Sequence, residues 1–579
     1  MSISSPDPTP AASETQRPTP FSTAAYDQNQ VLKSLRKVEH GLRARFLSIS
    51  HDANTALRLC QALFPTTRIP LFANARAGSW YVPPVIQDSP TYTAAFKSAD
   101  GHYGQWSSSL RRPNIHVLQA AIQFGAVVLV DVTRRGKRFP DSFMKTVPIW
   151  CAVINNVAAL YPCTTCTDAN TVCDQCARIH LHPDVPQSER HHIQNKLPQW
   201  LADWRRSLPT LKNTVPTLKN ASAQRLKPLR PIWVSPESTL WQHGIPLQQL
   251  DFTPIVCISA SKVVPDGERS FIEPSLVEQV VCGVTFAPRP VGFAYVQGAG
   301  DDEEAWCCGL TPSLFWYHHD RLLSIANGSG ANEGAMHVEA QLRNEISSIL
   351  SEPDGVAGNS KHAAFGTADS TIGTRVWSSR ILLRRLTRHD LPILLRSVSS
   401  RVGYVIVLGV DEQPPPASTE KLDDANTRPT ETPKHVDWMP LVDKKGKLDF
   451  KYGFGRALGP CLSRLREYCV DMRKDVLICS TDKKGDWCAG LAIAWLAWHC
   501  ESHDRHQCVE DGELSDHAGY TVRLPRKETI GFVDKETVHN TMLHFTCKFP
   551  QFELSRATLK QLNRFFSSPT PSSALTNSP

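Results

Sequence analysis

"GAVVLVDVTRRGKRFPDS", residues 125–142, changes character halfway along. Gly125 to Val130 is a short β-branched run, the composition of a strand buried on both faces. Asp131 closes it, and four cations follow within five positions: Arg134, Arg135, Lys137 and Arg138. A buried strand that runs into a polar loop holds ligand-binding groups at the rim of a rigid sheet. Gly136 lets the chain turn there so that the cations can converge, and planar guanidinium forks match phosphate oxygens. Taken alone, a basic turn is as often a solvated loop; the neighbouring segments tip the balance toward an anion site.

Upstream, "FKSADGHYGQWSSSLRRPNIH" (96–116) is rich in donors and poor in apolar residues. Lys97, Ser98, Arg111 and Arg112 are candidate phosphate contacts, and Asp100 and His102 candidate catalytic groups. Trp106 offers a surface for a base or sugar, against its plainer use in a core. A second strand-to-loop junction is "VGFAYVQGAGDDEEAW" (291–306). Four carboxylates before an expected helix start favour the helix dipole. Asp301 and Asp302, nearest the glycine turn, are also candidates to hold Mg²⁺ or to accept a hydroxyl proton. A third junction, "ICSTDKKGDWCAGLAIAW" (478–495), reads as strand, loop and apolar helix. Cys479, Ser480, Thr481, Lys483 and Lys484 would line a phosphate loop at that helix start. A cysteine-dependent phosphatase needs an arginine six positions after its cysteine; Gly485 stands there.

The chain has 579 residues, too many for one core, and an α/β (mixed α+β) architecture of two domains is expected. Residues 1–22 read as disordered, 23–412 as the first domain, 413–436 as a proline-rich linker, 437–567 as a smaller second domain and 568–579 as a tail. Two amphipathic helices are expected within 31–64, with Lys33, Arg36, Lys37, Arg43 and Arg45 on a solvated basic face. Lys and Arg number 63 against 56 Asp and Glu, a net charge of +7, which does not by itself indicate nucleic acid. The 17 cysteines, an odd number, and the polar proline-rich start suggest reduced thiols and a cytoplasmic protein, with a nuclear location left open. No apolar run approaches the roughly 20 residues of a membrane span. In a cysteine-rich insertion at 161–180, Cys163, Cys166, Cys173 and Cys176 form two Cys-x-x-Cys pairs. These are ligands for a structural Zn²⁺, although six intervening residues are fewer than in the usual ribbon.

Several stretches together resemble the tRNA 2′-O-ribosylphosphate transferases that modify initiator methionyl-tRNA in fungi and plants. They are "ANARAGSWY", the 96–116 window, "DVTRRGKRFPDS" with "KTVPIWCAVIN", "PIWVSPES", "YVQGAGDDEEAW" with "GLTPSLFW", and "SRATLKQLNRFF". The resemblance implies a family-specific first domain and a second domain like a dual-specificity phosphatase. It implies transfer of 5-phosphoribosyl from phosphoribosyl pyrophosphate, with Mg²⁺, to the 2′-hydroxyl of adenosine 64, which keeps initiator tRNA out of elongation. The loop at 479–488 is longer than the family's pattern. Alternative readings are a phosphatase acting through Cys479 and a non-catalytic tRNA-binding protein.

Overall fold

The computed structural model describes residues 41–75, 77–84, 93–98, 103–157, 178–214, 227–239, 244–328, 335–351, 374–376, 380–385, 402–409, 436–439, 441, 452–482, 485–502, 520–522 and 533–567. Asp100, His102, Lys483, Lys484 and the four cysteines of the 163–176 segment lie outside them, as do the segments read as tails and all but the last residue of the expected linker.

The quoted stretch does form a strand. β1 (Leu71–Asn74), β2 (Thr93–Ala94), β3 (Val127–Asp131), β4 (Leu229–Val234) and β5 (Thr253–Ser259) make a five-stranded sheet in the order β2-β1-β3-β5-β4. Every pairing in it is parallel. Both faces are covered, which is why β3 and β5 read as continuous apolar runs rather than as alternation. Val128, Val130, Val256 and Ile258 point into one core, shared with α1 (Leu42–Leu63) and the later helices of this domain. Val127, Leu129, Ile255 and Cys257 point into the other. That second core is closed by α2 (Ile115–Phe124), α3 (Val147–Val157) and α4 (Gln187–Thr214). All eight strand side chains are fully buried, each worth roughly 1.5–3 kcal/mol of transfer free energy for a Val, Leu or Ile. The chain leaves β1 toward β2 on one side and lies against β3 on the other. The strand order therefore reverses between β1 and β3, where open parallel sheets bind ligands.

After β5 the chain makes two short hairpins: β6 (Ser270–Ile272) pairs with β9 (Phe293–Tyr295), and β7 (Gln279–Val281) with β8 (Val284–Phe286). Helices α5 (Pro312–Tyr317), α6 (His319–Asn327) and α7 (Ala335–Ser351) follow, and residues from all three join the α1 core.

A second sheet has the order β10-β11-β14-β12-β13: β10 (Thr374–Arg375), β11 (Ile381–Arg385), β12 (Val402–Leu408), β13 (Val436–Met439) and β14 (Asp475–Ser480). It packs on α8 (Gly453–Leu465), α9 (Asp486–His499), α10 (Lys535–Lys548) and α11 (Arg556–Ser567). The boundary expected at 412 is thereby corrected. β10 to β12 precede the proline-rich segment, yet they pair with β14 and belong to the second domain. Two helices were expected within 31–64; from residue 42 onward there is one continuous helix, and the earlier part lies outside the described residues. Among the described residues no helix is long and apolar enough to cross a membrane.

The two domains touch through α4 and α10, and Leu543 and Cys547 of α10 enter the α2–α4 core. Arg112 pairs with Glu553 at 2.8 Å, and Arg111 donates to the Leu554 carbonyl at 3.1 Å. Both side chains of the Arg112–Glu553 pair are largely shielded, 22% and 12% exposed. A double-mutant cycle on Arg112→Ala and Glu553→Ala, read by urea unfolding, is therefore expected to show a coupling of about 1 kcal/mol or more. A coupling of zero would mean that the pair does not help to join the domains.

Candidate functional site

Four loops meet at the carboxyl edge of the first sheet. The loop after β1 carries Ala75 to Tyr81. Gly78 in it lies so close to β3 that a Cβ would stand 2.2 Å from the Val130 carbonyl oxygen. The loop after β3 is the basic turn. The loop after β4 supplies Ser235 and Ser238, which accept from Arg138 Nε at 2.8 Å and Nη2 at 3.2 Å. The loop after β5 passes beneath the turn, where the Gly136 amide donates to the Val264 carbonyl at 3.0 Å. Arg134 and Arg138 are exposed, while Arg135 and Lys137 are half-buried. Lys137 stands 3.6 Å from Asp141. Gly136 has φ +77°, the left-handed conformation that favours glycine, and a Cβ there would lie 2.7 Å from the Asp266 carboxylate, which would have to swing aside.

The segment 296–302 closes over this turn. Gln297 donates from Nε2 to the carbonyls of Arg134 (3.1 Å) and Lys137 (2.7 Å), and its Oε1 accepts from the Val264 amide at 2.7 Å. Gly298, at φ +65°, sits where a Cβ would be 2.6 Å from the Thr133 carbonyl oxygen. The structure thus brings together two stretches that the sequence separates by some 160 residues. Asp301 is half-buried and Asp302 exposed, the latter in the left-handed region at φ +51°. Asp302 lines a surface depression together with Gly300, Glu303, Glu304 and Ala305. The expected helix start there is replaced by a single 3₁₀ turn, Glu303–Ala305. Dipole stabilisation is thus not the role of these carboxylates. Glu303 accepts from the Trp80 indole at 3.1 Å, and Tyr81 OH accepts from the Gly300 amide at 2.7 Å. The after-β1 loop and the acidic loop are therefore one unit.

Other candidates fall elsewhere. Lys97 is exposed, and its carbonyl accepts from Thr146, the last residue of the π-helical turn Ser142–Thr146 that leads into α3. Arg111 and Arg112, read as phosphate contacts, are engaged by the Leu554 carbonyl and the Glu553 carboxylate of the second domain. Trp106 is buried and donates to Glu189 at 2.7 Å, so it serves the core rather than a base. Arg43 and Arg45 donate to the Ala326 and Ala299 carbonyls instead of forming a solvated face. Asp131, the acid at the end of β3, is fully buried and accepts from Asn74 Nδ2 (2.7 Å) and Ser142 Oγ (2.8 Å), bracing the edge from within. Among the described residues no group of three or more His, Cys, Asp or Glu could hold a metal ion.

In the second domain, Cys479 is an interior strand residue, paired in register with Arg384 and Val407. It packs with Val405, Val407 and Leu477 on the sheet face opposite α9. Burial pushes its thiol up to about 12, so it stays protonated through the physiological range. The start of α9 carries its own anion. Asp482 accepts from the Asp486 amide at 2.6 Å and from the Trp487 amide at 3.4 Å, and Ser480 donates to the same carboxylate. The amides expected to cradle a phosphate are thus capped from within the loop. Asp486 in turn receives the Ser555 amide and the Thr558 hydroxyl, both at 2.6 Å, which ties α11 to α9 and accounts for "SRAT".

A doubly covered parallel sheet with a basic turn and an acidic loop at its switch point, followed by a second α/β domain whose strand-end cysteine, Cys479, is buried, defines a two-domain protein whose candidate ligand edge lies in the first domain. Comparison with known sequences agrees. Residues 35–336 match the Rit1 N-terminal domain and residues 439–566 the Rit1 DUSP-like domain. The chain belongs to the Rit1 family. It is 34% identical over 314 residues to the tRNA A64-2′-O-ribosylphosphate transferase of Saccharomyces cerevisiae, covering 52% of this chain and 56% of that protein. It is 34% identical over 309 residues to an uncharacterized protein of Schizosaccharomyces pombe, covering 53% and 56%. The chain thus spans about half the length of the curated relatives it matches. No solved structure matches it.

Native protein treated with iodoacetamide at neutral pH is expected to leave Cys479 unlabelled until it is denatured, as read by peptide mass spectrometry. Labelling in the native state would mean an accessible thiolate. Gly136→Ala should cost about 1–2 kcal/mol of stability from the left-handed backbone alone, measurable as a lower melting temperature.

Proposed function

We propose that this protein transfers a 5-phosphoribosyl group from phosphoribosyl pyrophosphate to the 2′-hydroxyl of adenosine 64 of initiator methionyl-tRNA, so that the modified tRNA is kept out of elongation. Family membership and the activity for which the yeast relative is named support the reading. The observation that carries it is the packing of the basic turn against the acidic loop at the carboxyl edge of a parallel sheet.

The chemistry asks for both charges. The bond from the anomeric carbon to the pyrophosphate oxygen breaks, and a bond from the ribose 2′-oxygen forms. The hydroxyl proton must be taken up, and the pyrophosphate must be held as charge builds on it. Arg134, Arg135, Lys137 and Arg138 are suited to the phosphates, since guanidinium forks bind such oxygens in pairs. Asp301 or Asp302 would receive the proton. Mg²⁺ fits the same rim: Asp302 and Glu304 offer exposed oxygen ligands, and a Mg²⁺ held by one or two carboxylates and the donor's phosphates would offset the leaving group's charge. The acceptor lies in a base-paired stem, so recognition would rest on backbone shape and exposed 2′-hydroxyls, with salt-sensitive phosphate contacts. A phosphatase working through Cys479 has no support from a thiol buried within a strand. Mg²⁺, the donor and the cytoplasmic location are parts of this proposal.

Incubation with radiolabelled phosphoribosyl pyrophosphate and initiator tRNA should place label on the tRNA. Arg134→Ala and Arg135→Ala should each raise the donor KM about tenfold or more, the loss of one charge-assisted contact, while tRNA binding by mobility shift changes little. Unlabelled tRNA in the presence of an active control enzyme would refute the reading.

A further inference from the structure

Beneath the four loops lies a carboxylate that the chemistry above does not use. Asp52, on α1, is fully buried. It accepts from Ser261 Oγ at 2.7 Å and from Tyr295 OH at 2.8 Å, and His51 Nδ1 stands 3.1 Å away. Each of these hydroxyls is itself an acceptor: the Gly298 amide donates to Ser261 Oγ at 3.2 Å, and the Lys262 amide to Tyr295 OH at 2.9 Å. With an oxygen lone pair engaged by a backbone N–H, each hydroxyl points its proton at Asp52. Two relays therefore run from backbone amide through hydroxyl to one carboxylate.

Both relays end on segments that touch the basic turn. Lys262 is two residues before Val264, whose carbonyl holds the Gly136 amide and whose amide is held by Gln297. Gly298 follows Gln297, the side chain that grips the carbonyls of Arg134 and Lys137. The same face of α1 adds two more anchors to this segment. Ser48 Oγ accepts from the Val296 amide at 2.9 Å, and Arg45 donates to the Ala299 carbonyl at 2.7 Å. Arg45, Ser48 and Asp52 recur at i, i+3 and i+7, one stripe of the helix. A buried carboxylate is costly unless its oxygens are occupied, and these are. Hydrophobic packing alone does not call for a carboxylate here, since an apolar residue would fill the space without that cost.

We propose that Asp52 is a positioning residue: through the Ser261 and Tyr295 hydroxyls it fixes the segments 261–264 and 296–298, and so holds the basic turn in the shape that binds the donor, without touching the donor. The kinetic part rests on the proposed transferase activity; the structural part does not.

Asp52→Asn keeps the volume but leaves one uncharged acceptor oxygen to serve both hydroxyls, which weakens both relays. In the full-length protein, hydrogen exchange at the Gly136 and Val264 amides should quicken about tenfold or more, as expected when a local opening becomes easier. The donor KM should rise by a similar factor with kcat within about twofold, the pattern of lost binding rather than lost chemistry. Ser261→Ala should reproduce part of the effect and add little on top of Asp52→Asn, because it acts on a relay that Asp52→Asn already weakens. Should Asp52→Asn not fold, Tyr295→Phe, which keeps the ring and removes one hydroxyl, serves for the same measurements. Unchanged exchange at Gly136 and Val264 in a folded variant would overturn the proposal, as would a fall in kcat at constant KM, or additive effects of the two substitutions. If the wild-type protein binds no phosphoribosyl pyrophosphate, the donor assignment fails, and the exchange result still decides whether Asp52 shapes the turn.

Discussion

The side-chain amide of Gln297, laid across the carbonyls of Arg134 and Lys137, is the contact on which the candidate site depends. It sits in a gap so narrow that Gly298 passes the Thr133 carbonyl with no room for a Cβ. A turn carrying four cations repels itself and tends to spread into solvent. Here its backbone is captured instead, at Gly136 by Val264 and at two carbonyls by Gln297, so the shape of the loop does not rest on the side chains of Arg134 and Arg135. Preorganisation of this kind removes part of the ordering cost of binding. It also explains why the cations and the acidic loop share one edge: the segment that grips the turn continues, within five residues, into Asp301 and Asp302.

The second domain shows what happens to a phosphate loop when its anion site is filled from within. Asp482 caps α9 where a phosphate would sit, and Cys479 belongs to the β-ladder rather than to the loop. The domain's contacts point to a supporting role. Asp486 holds the start of α11, the segment before α11 supplies Glu553 and Leu554 to the first domain, and α10 contributes Leu543 and Cys547 to the α2–α4 core. Arg111 and Arg112 sit at this join, so part of the donor-rich window 96–116 serves the domain interface.

The strand β3, the loop that follows it and the β14–α9 unit were legible because each is written locally, as an apolar run, a glycine and a change of polarity. The cation cluster at 134–138 was legible for the same reason. Asp52 was not singled out, although a signal was present. "SISHDAN" (48–54) puts Ser48, Ser50, Asp52 and Asn54 inside one helix, and all four are buried; buried polar groups on a helix ask for partners. The roles of Arg111 and Arg112 had no such signal, since an arginine bound for phosphate and one bound for Glu553 look alike in sequence.

By itself the sequence determined the strand-to-loop junctions, the family, and which loops carry charge, because periodicity, turn residues and composition act over a few neighbouring positions. Only the tertiary structure decided which of those charges meet. Strands β10 to β12 joined the second sheet despite standing before the proline-rich segment, the acidic loop came to lie on the basic turn, and two arginines left the site for the interface. Such outcomes depend on contacts between residues tens to hundreds of positions apart, where burial and hydrogen bonding are set by the packing of whole layers, and no local pattern records them.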